Sequence, residues 1–168
     1  MEDLELIDVG GGVGIIQHEL LKKGLKNATQ VEASEPYLLA SQEEAQLNAS
    51  HDRLSSFYGD FVELFGELPE ADIVTADRVL CCYPHRRDFI DAMAKKSRQY
   101  CAVVYPREKW FINFGIKTVN LYLNLIRSSF RLYFHGEEDV QHDFTENDFK
   151  LTERDQTFLW NVELYEKQ

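Results

Sequence analysis

Several large classes of protein are excluded by features this sequence lacks. Its 168 residues include three cysteines and four prolines, and no uncharged apolar run approaches the roughly 18 residues that a membrane-spanning helix needs. An odd number of cysteines, two of them adjacent, is not a disulfide framework. No basic and apolar signal segment opens the chain. These absences predict one cytoplasmic, reduced domain over residues 1–168, with no membrane partner.

Basic residues are scarce in the first half of the chain. Residues 1–75 hold 15 Asp and Glu against 4 Lys and Arg, residues 76–168 hold 14 of each, and the formal net charge is −11. Binding to a nucleic-acid backbone requires a positive surface. The distribution of charge therefore argues against a nucleic-acid partner, except through a local basic patch in the second half.

Short apolar segments alternate with amphipathic ones along most of the chain. Strands are predicted at residues 4–9, 29–33, 54–58, 71–76 and 100–105. Helices are predicted at about 13–23, 36–48 and 84–96, and the first would bury Val13, Ile16, Leu20 and Leu21. This alternation predicts a parallel sheet with helices on both faces.

The last third of the chain departs from strict alternation. A long aromatic helix is predicted at about 110–127, a strand or helix tail at 130–134, and an acidic helix up to about residue 147. Residues 149–154 and 157–165 are predicted as two strands joined by a tight turn at Asp155 and Gln156. Phe158, Trp160 and Val162 are expected in the core.

A glycine-rich loop, Asp8-Val9-Gly10-Gly11-Gly12-Val13-Gly14, lies where the first strand meets the first helix. Glycines there allow a tight turn and close approach of a ligand to the backbone. The dinucleotide fingerprint G-x-G-x-x-G/A would place Ile15 in its third slot, where a branched side chain disfavours close packing. Asp8 would repel a pyrophosphate and suits a ligand with an ammonium group and a cationic centre. A plain glycine turn is the alternative.

The pattern D-x-G-x-G-x-G after a first strand resembles motif I of the class I S-adenosylmethionine (SAM)-dependent methyltransferases. The resemblance implies an α/β fold, a three-layer α/β/α Rossmann-like sandwich with a mostly parallel seven-stranded sheet and a C-terminal antiparallel hairpin. It also implies SAM as cofactor and S-adenosylhomocysteine as product. The segments Arg78–Pro84 (R-V-x-C-C-Y-P) and Tyr105–Trp110 (Y-P-R-x-x-W) resemble a bacterial, small-molecule branch of that family.

By the same resemblance, Glu32 at the end of the second strand would bind both ribose hydroxyls, since a carboxylate is a natural acceptor for a diol. Asp60 would accept from the adenine amino group and Phe61 would pack on the ring, although Asp60 could be a plain turn residue. Asp77 would face the methionine end. The implied cofactor-binding set is Asp8, Gly10, Gly12, Gly14, Glu32, Ala33, Asp60, Phe61 and Asp77.

Residues after the fourth and fifth strands should face the acceptor, because ligands of open α/β sheets bind beyond the carboxyl ends of the strands. The acceptor-binding candidates are Arg78, Tyr105, Arg107 and Trp110. Five cations are predicted near this edge, namely Arg78, Arg86, Arg87, Arg107 and Lys109. They would suit a carboxylate or phosphate on the acceptor, and ordinary surface ion pairing is the alternative.

Methyl transfer is an in-line displacement, to which a protein contributes position and in some enzymes a base. His85 is a candidate base because imidazole titrates near neutral pH, and Asp77 and Tyr83 are the other candidates. Adjacent Cys81 and Cys82 lack zinc-ligand spacing, so we expect two buried small side chains and no metal.

The helix at 110–127 is interpreted first as core packing. It could also cap the pocket or join two subunits in a homodimer. The resembled family usually has helices before its first strand, whereas Met1 lies about three residues before this one. That difference supports an alternative to the enzyme, namely a non-catalytic or truncated binding module of the same fold. An NAD-dependent oxidoreductase is a remoter alternative, disfavoured by Asp8 and Ile15.

Overall fold

Seven strands form one sheet in the computed structural model, which describes residues 3–168. The strands are β1 (Glu5–Val9), β2 (Asn27–Glu32), β3 (Leu54–Tyr58), β4 (Ala71–Asp77), β5 (Ser97–Pro106), β6 (Phe149–Gln156) and β7 (Trp160–Lys167). The helices are α1 (Ile15–Lys22), α2 (Glu35–Leu47), α3 (Arg86–Lys96), α4 (Trp110–Leu125) and α5 (Glu137–Glu146).

The order of the strands across the sheet is β3-β2-β1-β4-β5-β7-β6. The first five strands pair in parallel, whereas β7 runs antiparallel to both β5 and β6. This arrangement confirms the predicted mostly parallel sheet with an antiparallel C-terminal hairpin. The chain crosses from β3 to the other side of β1 to form β4, so the strand order reverses between β1 and β4. Open α/β sheets bind ligands at such a switch point.

Side chains of β1 alternate between two apolar clusters because neighbouring residues of a strand point to opposite faces. Leu6 packs in a small cluster with Leu21 and Leu25 of the α1 side, and Ile7 packs in a larger cluster with Ile90 of α3. The sheet is therefore covered on both of its faces.

Helix α5 packs between the C-terminal hairpin and α3. Phe144 stacks on Tyr165 with ring centroids 4.0 Å apart and meets Phe149 edge-on. On its other side, Asp143 accepts a hydrogen bond from Arg86 Nε at 2.6 Å. Aromatic packing therefore holds α5 against the C-terminal hairpin, and an ion pair holds it against α3.

The end of the chain corrects two predictions. The tight turn lies at residues 157–159 rather than at Asp155 and Gln156, because β6 continues to Gln156. Phe158 and Val162 are exposed rather than in the core. In β7 the buried positions belong to Asn161, Glu163 and Tyr165, which the hydrophobic pattern did not indicate.

Hydrogen bonds explain the burial of Glu163 in β7. Glu163 Oε2 accepts from the hydroxyls of Tyr105 at 2.9 Å and Tyr165 at 2.6 Å, and its Oε1 accepts from Gln141 Nε2 at 3.1 Å. A buried carboxylate with several donors can occupy an inward position of a strand.

Three further predictions are corrected. Helix α1 begins at Ile15, and Val13 before it is exposed rather than part of its buried face. Residues 130–134 form neither a strand nor a helix tail. Helix α4 is not core packing, since none of its residues is buried. Within residues 3–168, no helix is long and apolar enough to cross a bilayer.

Replacing Phe144 should destabilise the protein far more than replacing Phe158. We expect Phe144→Ala to lower the free energy of unfolding by about 3–5 kcal/mol, because it leaves a cavity between α5 and the hairpin. Phe158→Ala should change it by at most about 1 kcal/mol, because that ring is largely exposed and loses only its stack on Phe111. Urea unfolding of both variants measures the difference, and equal losses would contradict this description of the hairpin.

Candidate active site

A cavity of ≈ 530 Å³ opens at the carboxyl ends of β1, β2 and β4, at the switch point of the sheet. Its lining includes two of the loop glycines, residues after β2 and β3, and the segment that follows β4. Seven of the nine predicted cofactor-binding residues line it: Gly10, Gly12, Glu32, Ala33, Asp60, Phe61 and Asp77. The other two, Asp8 and Gly14, are outside its lining.

The glycines of the loop are required by packing as well as by backbone conformation. Gly10 has φ +61°, and a Cβ there would collide with the side chain of Val79. Gly14 has φ +86°, and a Cβ there would lie 2.6–2.7 Å from polar atoms of Ser41, Gln17 and His18. The loop would therefore need glycine at these two positions even without a ligand.

Glu32 is fixed at the cavity wall by two backbone donors. Its Oε2 accepts from the Gly12 N–H at 2.9 Å and its Oε1 accepts from the Ser34 N–H at 2.8 Å. The side chain is largely buried but lines the cavity. Because each carboxylate oxygen has more than one acceptor site, both oxygens can accept a further hydrogen bond from a ligand.

Asp8 lies buried beneath the loop, where its Oδ1 accepts from the Thr75 hydroxyl at 2.6 Å. Its Oδ2 has no partner among residues 3–168, and neither has Gln17 Oε1. A Cβ at Gly11 would lie 2.7 Å from the first of these atoms and 3.1 Å from the second. Two unpartnered acceptors thus lie beside the same loop residue.

Burial raises the pKa of Asp8 to about 7, and the negative charges of Asp77 and Glu32 act in the same direction. A proton on Asp8 would supply the donor that its environment lacks. A positively charged ligand group would likewise reduce the repulsion among the carboxylates of the site, whereas a pyrophosphate would increase it.

Asp60 has both a local role and a place on the cavity wall. Its Oδ1 accepts from the backbone N–H groups of Val62 at 2.8 Å and Glu63 at 3.1 Å, and from the Tyr83 hydroxyl at 3.2 Å. Desolvation and the nearby charge of Asp60 raise the pKa of Tyr83 to about 12. Tyr83 therefore remains protonated at neutral pH.

Asp77 at the end of β4 is paired with its neighbour Arg78. Two hydrogen bonds join the guanidinium to the carboxylate, from Nε to Oδ1 at 3.1 Å and from Nη2 to Oδ2 at 2.9 Å. Arg78 adopts φ +59°, in the left-handed region that non-glycine residues rarely occupy. Both residues line the cavity.

Some of the predicted bases and acceptor-binding residues line the cavity, and the others lie away from it. Asp77 and Tyr83 line the cavity, whereas His85 lies in a separate shallow groove with Pro84 and His135. Among the acceptor-binding candidates, only Arg78 lines the cavity. The other three are elsewhere, with Tyr105 buried against Glu163, Arg107 bonded to the β6–β7 turn, and Trp110 exposed on α4.

Two of the five predicted cations are engaged in ion pairs with α5. Arg86 pairs with Asp139 and Asp143, and Arg87 pairs with Glu146. These contacts, like the pairing of Arg78 with Asp77, fit the alternative of ordinary ion pairing. Among the five predicted cations, Arg78 is the one that lines the cavity.

The two adjacent cysteines have different surroundings. Cys81 is buried as expected, whereas Cys82 is half-buried and lines the cavity, with the two Sγ atoms 3.9 Å apart. The hydrogen bond from Cys81 lowers the pKa of Cys82 to about 7. Within residues 3–168, no cluster of three or more His, Cys, Asp and Glu is arranged to hold a metal ion.

The buried polar network beneath the glycine-rich loop was not predicted from the sequence. Gln17 Nε2 donates to Gln30 Oε1 at 2.9 Å and to Ser41 Oγ at 2.8 Å, and Gln30 Nε2 donates to the Gly12 carbonyl at 2.7 Å. The available signal was Gln30, a polar residue in the predicted second strand, which the structure buries completely. The lining residues Tyr37, Val79 and Phe130 gave none.

Comparisons with known proteins identify the fold. No protein-family model matches the sequence, and no curated protein matches it. Magnesium protoporphyrin IX methyltransferase from Synechocystis PCC 6803, solved with bound S-adenosylhomocysteine, gives a TM-score of 0.78 at 18% identity, over 98% of this chain and 74% of that one. A putative sarcosine dimethylglycine methyltransferase from Galdieria sulphuraria gives 0.80 at 11% identity, over 100% of this chain and 80% of that one.

The protein therefore has the fold of the class I SAM-dependent methyltransferases, as the resemblance of its motifs implied. The same fold occurs in the [4+2]-cyclase SpnF, which gives a TM-score of 0.75 at 10% identity, over 98% of this chain and 74% of that one. Fold alone thus leaves the reaction open, and the function has to be argued from the site.

Asp8→Asn should stabilise the protein more at pH 8 than at pH 5. The folded protein retains a proton on Asp8 that the unfolded chain loses above about pH 4, so this group's contribution to stability falls as pH rises to about 7. Asparagine removes this loss, and its amide group replaces the unpartnered Asp8 Oδ2 with a donor beside the unpartnered Gln17 Oε1. We expect the gain to grow by roughly 2 kcal/mol between the two pH values. Urea unfolding tests this, and a gain independent of pH would contradict it.

Proposed function

We propose that this protein binds SAM and transfers its methyl group to a small acceptor. The observation that carries the proposal is the Glu32 carboxylate, which two backbone N–H groups hold on the wall of a cavity at the switch point of the sheet. A carboxylate in this position can accept from both hydroxyls of a ribose. Two structures of the same fold are described as methyltransferases, which supports the same class of reaction here.

The residues around the cavity fit the three parts of the cofactor. Glu32 would hold the ribose, and Asp60 with Phe61 would hold the adenine. The carboxylate of Asp8 would favour the positive charge of the ligand, whereas Asp77, whose charge is paired with Arg78, would line the methionine end of the cavity. The unpartnered Oδ2 of buried Asp8 fits this assignment, because a cation above the loop would lower the cost of ionising that carboxyl.

SAM supplies the electrophilic methyl group, so this chain's contribution would be mainly to position and orient the reactants. Tyr83 stays protonated and Asp77 is paired with Arg78, which makes both poor bases in this arrangement. His85 lies outside the cavity. These positions favour transfer by proximity, with Arg78 as the group that would meet a carboxylate or phosphate on an anionic acceptor.

The engagement of these candidate bases also favours a second candidate function, a module that binds SAM without turnover. Incubation with methyl-labelled SAM and a panel of small carboxylic and phosphorylated acceptors distinguishes the two. The enzyme is expected to transfer label to at least one acceptor and to form S-adenosylhomocysteine. Binding of SAM with no transfer to any acceptor favours the module.

Glu32→Gln should weaken SAM binding by more than tenfold. The amide presents a donor where the native side chain accepts from two backbone N–H groups, and charge-assisted hydrogen bonds to the ligand, each about 1.5–3 kcal/mol, are lost. Calorimetric titration with SAM measures the change. Glu43→Gln is the matched control, since Glu43 is exposed on α2 and loses the same charge. Equal affinity of both variants would refute the ribose assignment.

Binding of SAM near pH 7 should release roughly half a proton, because Asp8 is half protonated in the free protein and a cation above the loop favours its ionised form. The release is obtained from binding enthalpies in buffers of different ionisation enthalpy. It should disappear in Asp8→Asn and above about pH 9. No difference between the native protein and Asp8→Asn would exclude Asp8 as the source of the proton.

A further inference from the structure

Helix α4 presents a row of large apolar side chains away from the rest of the protein. Trp110, Phe114, Leu121 and Leu125 recur at spacings of four and seven residues, which place them on one side of a helix. Their exposed fractions are 81%, 67%, 62% and 73%. Isolated exposed apolar residues are common, but a continuous row of this size marks an interaction surface.

The orientation of α4 is fixed by contacts on its other sides. Phe111 stacks on Phe158 with centroids 5.6 Å apart. Asn120 makes two hydrogen bonds with the backbone of Leu132, at 2.7 and 2.9 Å, and the Tyr133 N–H donates to the Cys81 carbonyl at 2.6 Å. The apolar row is therefore held facing outward rather than loosely placed.

The charge of this segment is opposite to that of the whole chain. Residues 109–136 contain Lys109, Lys117, Arg127 and Arg131 and no Asp or Glu, in a chain of net charge −11. A helix with a large apolar face and cations beside it is typical of helices that lie in the plane of a membrane surface. The cations then contact anionic head groups while the apolar row enters the interface.

The same charges argue against the homodimer expected through residues 110–127. In a symmetric dimer, two copies of α4 would meet through the same surface. Lys117 lies at the middle of the helix, within the side that carries the apolar row, so an antiparallel pairing would bring it close to its own counterpart. Like charges in that position repel, whereas a membrane surface allows the lysine to extend its ammonium group to the head groups.

We propose that α4 and the adjoining segment to Arg131 bind an anionic lipid surface, with the apolar row of Trp110, Phe114, Leu121 and Leu125 inserted into the interface. The expectation of no membrane partner came from the lack of a spanning run, and a helix that lies on the surface needs no such run. The proposal does not depend on the function proposed for the cavity.

Flotation with lipid vesicles tests the proposal on the full chain. We expect it to float with vesicles containing about one-third phosphatidylglycerol and not with pure phosphatidylcholine, and to be released at high salt. Leu121→Ser and Leu125→Ser should each weaken binding about tenfold. Lys117→Gln should weaken it about fivefold. Leu47→Ser and Lys150→Gln, at exposed positions outside the segment, are the matched controls and should have no effect.

Thermal unfolding of each variant and sedimentation of the native chain complete the test. Because the replaced side chains are exposed, their melting temperatures should match that of the native protein. The proposal is overturned by failure to float with anionic vesicles, or by equal losses in the segment and control variants. It is also overturned by a dimer in solution that Leu121→Ser dissociates and that does not bind vesicles, which would assign the surface to a second copy.

Discussion

The structure of the site depends on carboxylates crowded at the switch point of the sheet. Asp8, Glu32 and Asp77 stand at the ends of three neighbouring strands, and the charges of the latter two oppose ionisation of the first. A different group stabilises each carboxyl. Asp8 is partly protonated near pH 7, Glu32 accepts hydrogen bonds from two backbone N–H groups, and Asp77 is paired with the guanidinium of Arg78. Such a site favours a ligand with positive charge and hydroxyl groups.

The glycine loop connects this electrostatic arrangement to the fold. Gly12 donates its N–H to Glu32 and its carbonyl accepts from Gln30, which is joined through Gln17 to Ser41 of α2. The loop therefore binds to protein groups on both sides of its backbone. A donor already used by Glu32 is less available to an anion, which is a further reason why a pyrophosphate suits this loop poorly.

The sequence predicted the parts of the structure that depend on local patterns, namely the periodicity of apolar residues and the motif of the glycine loop. The order of strands and helices followed from alternating apolar segments, and the loop with Glu32 followed from a local motif. Where tertiary contacts override the pattern, prediction failed. Glu163 is buried in β7 because donors surround its carboxylate. Tyr105, Gln141 and Arg154 supply them from other segments, and the hydroxyl of Tyr165 comes from its own strand. Helix α4 has the composition of a core helix, but no described element covers its outer side.

Calorimetric titration of the unaltered chain with S-adenosylhomocysteine and, in parallel, with NAD tests the central claim most directly. S-adenosylhomocysteine has the ribose and ammonium groups that we propose the carboxylates bind, whereas NAD brings a pyrophosphate to an acidic site. We expect micromolar binding of S-adenosylhomocysteine and no binding of NAD. Binding of NAD alone, or of neither ligand, would contradict it.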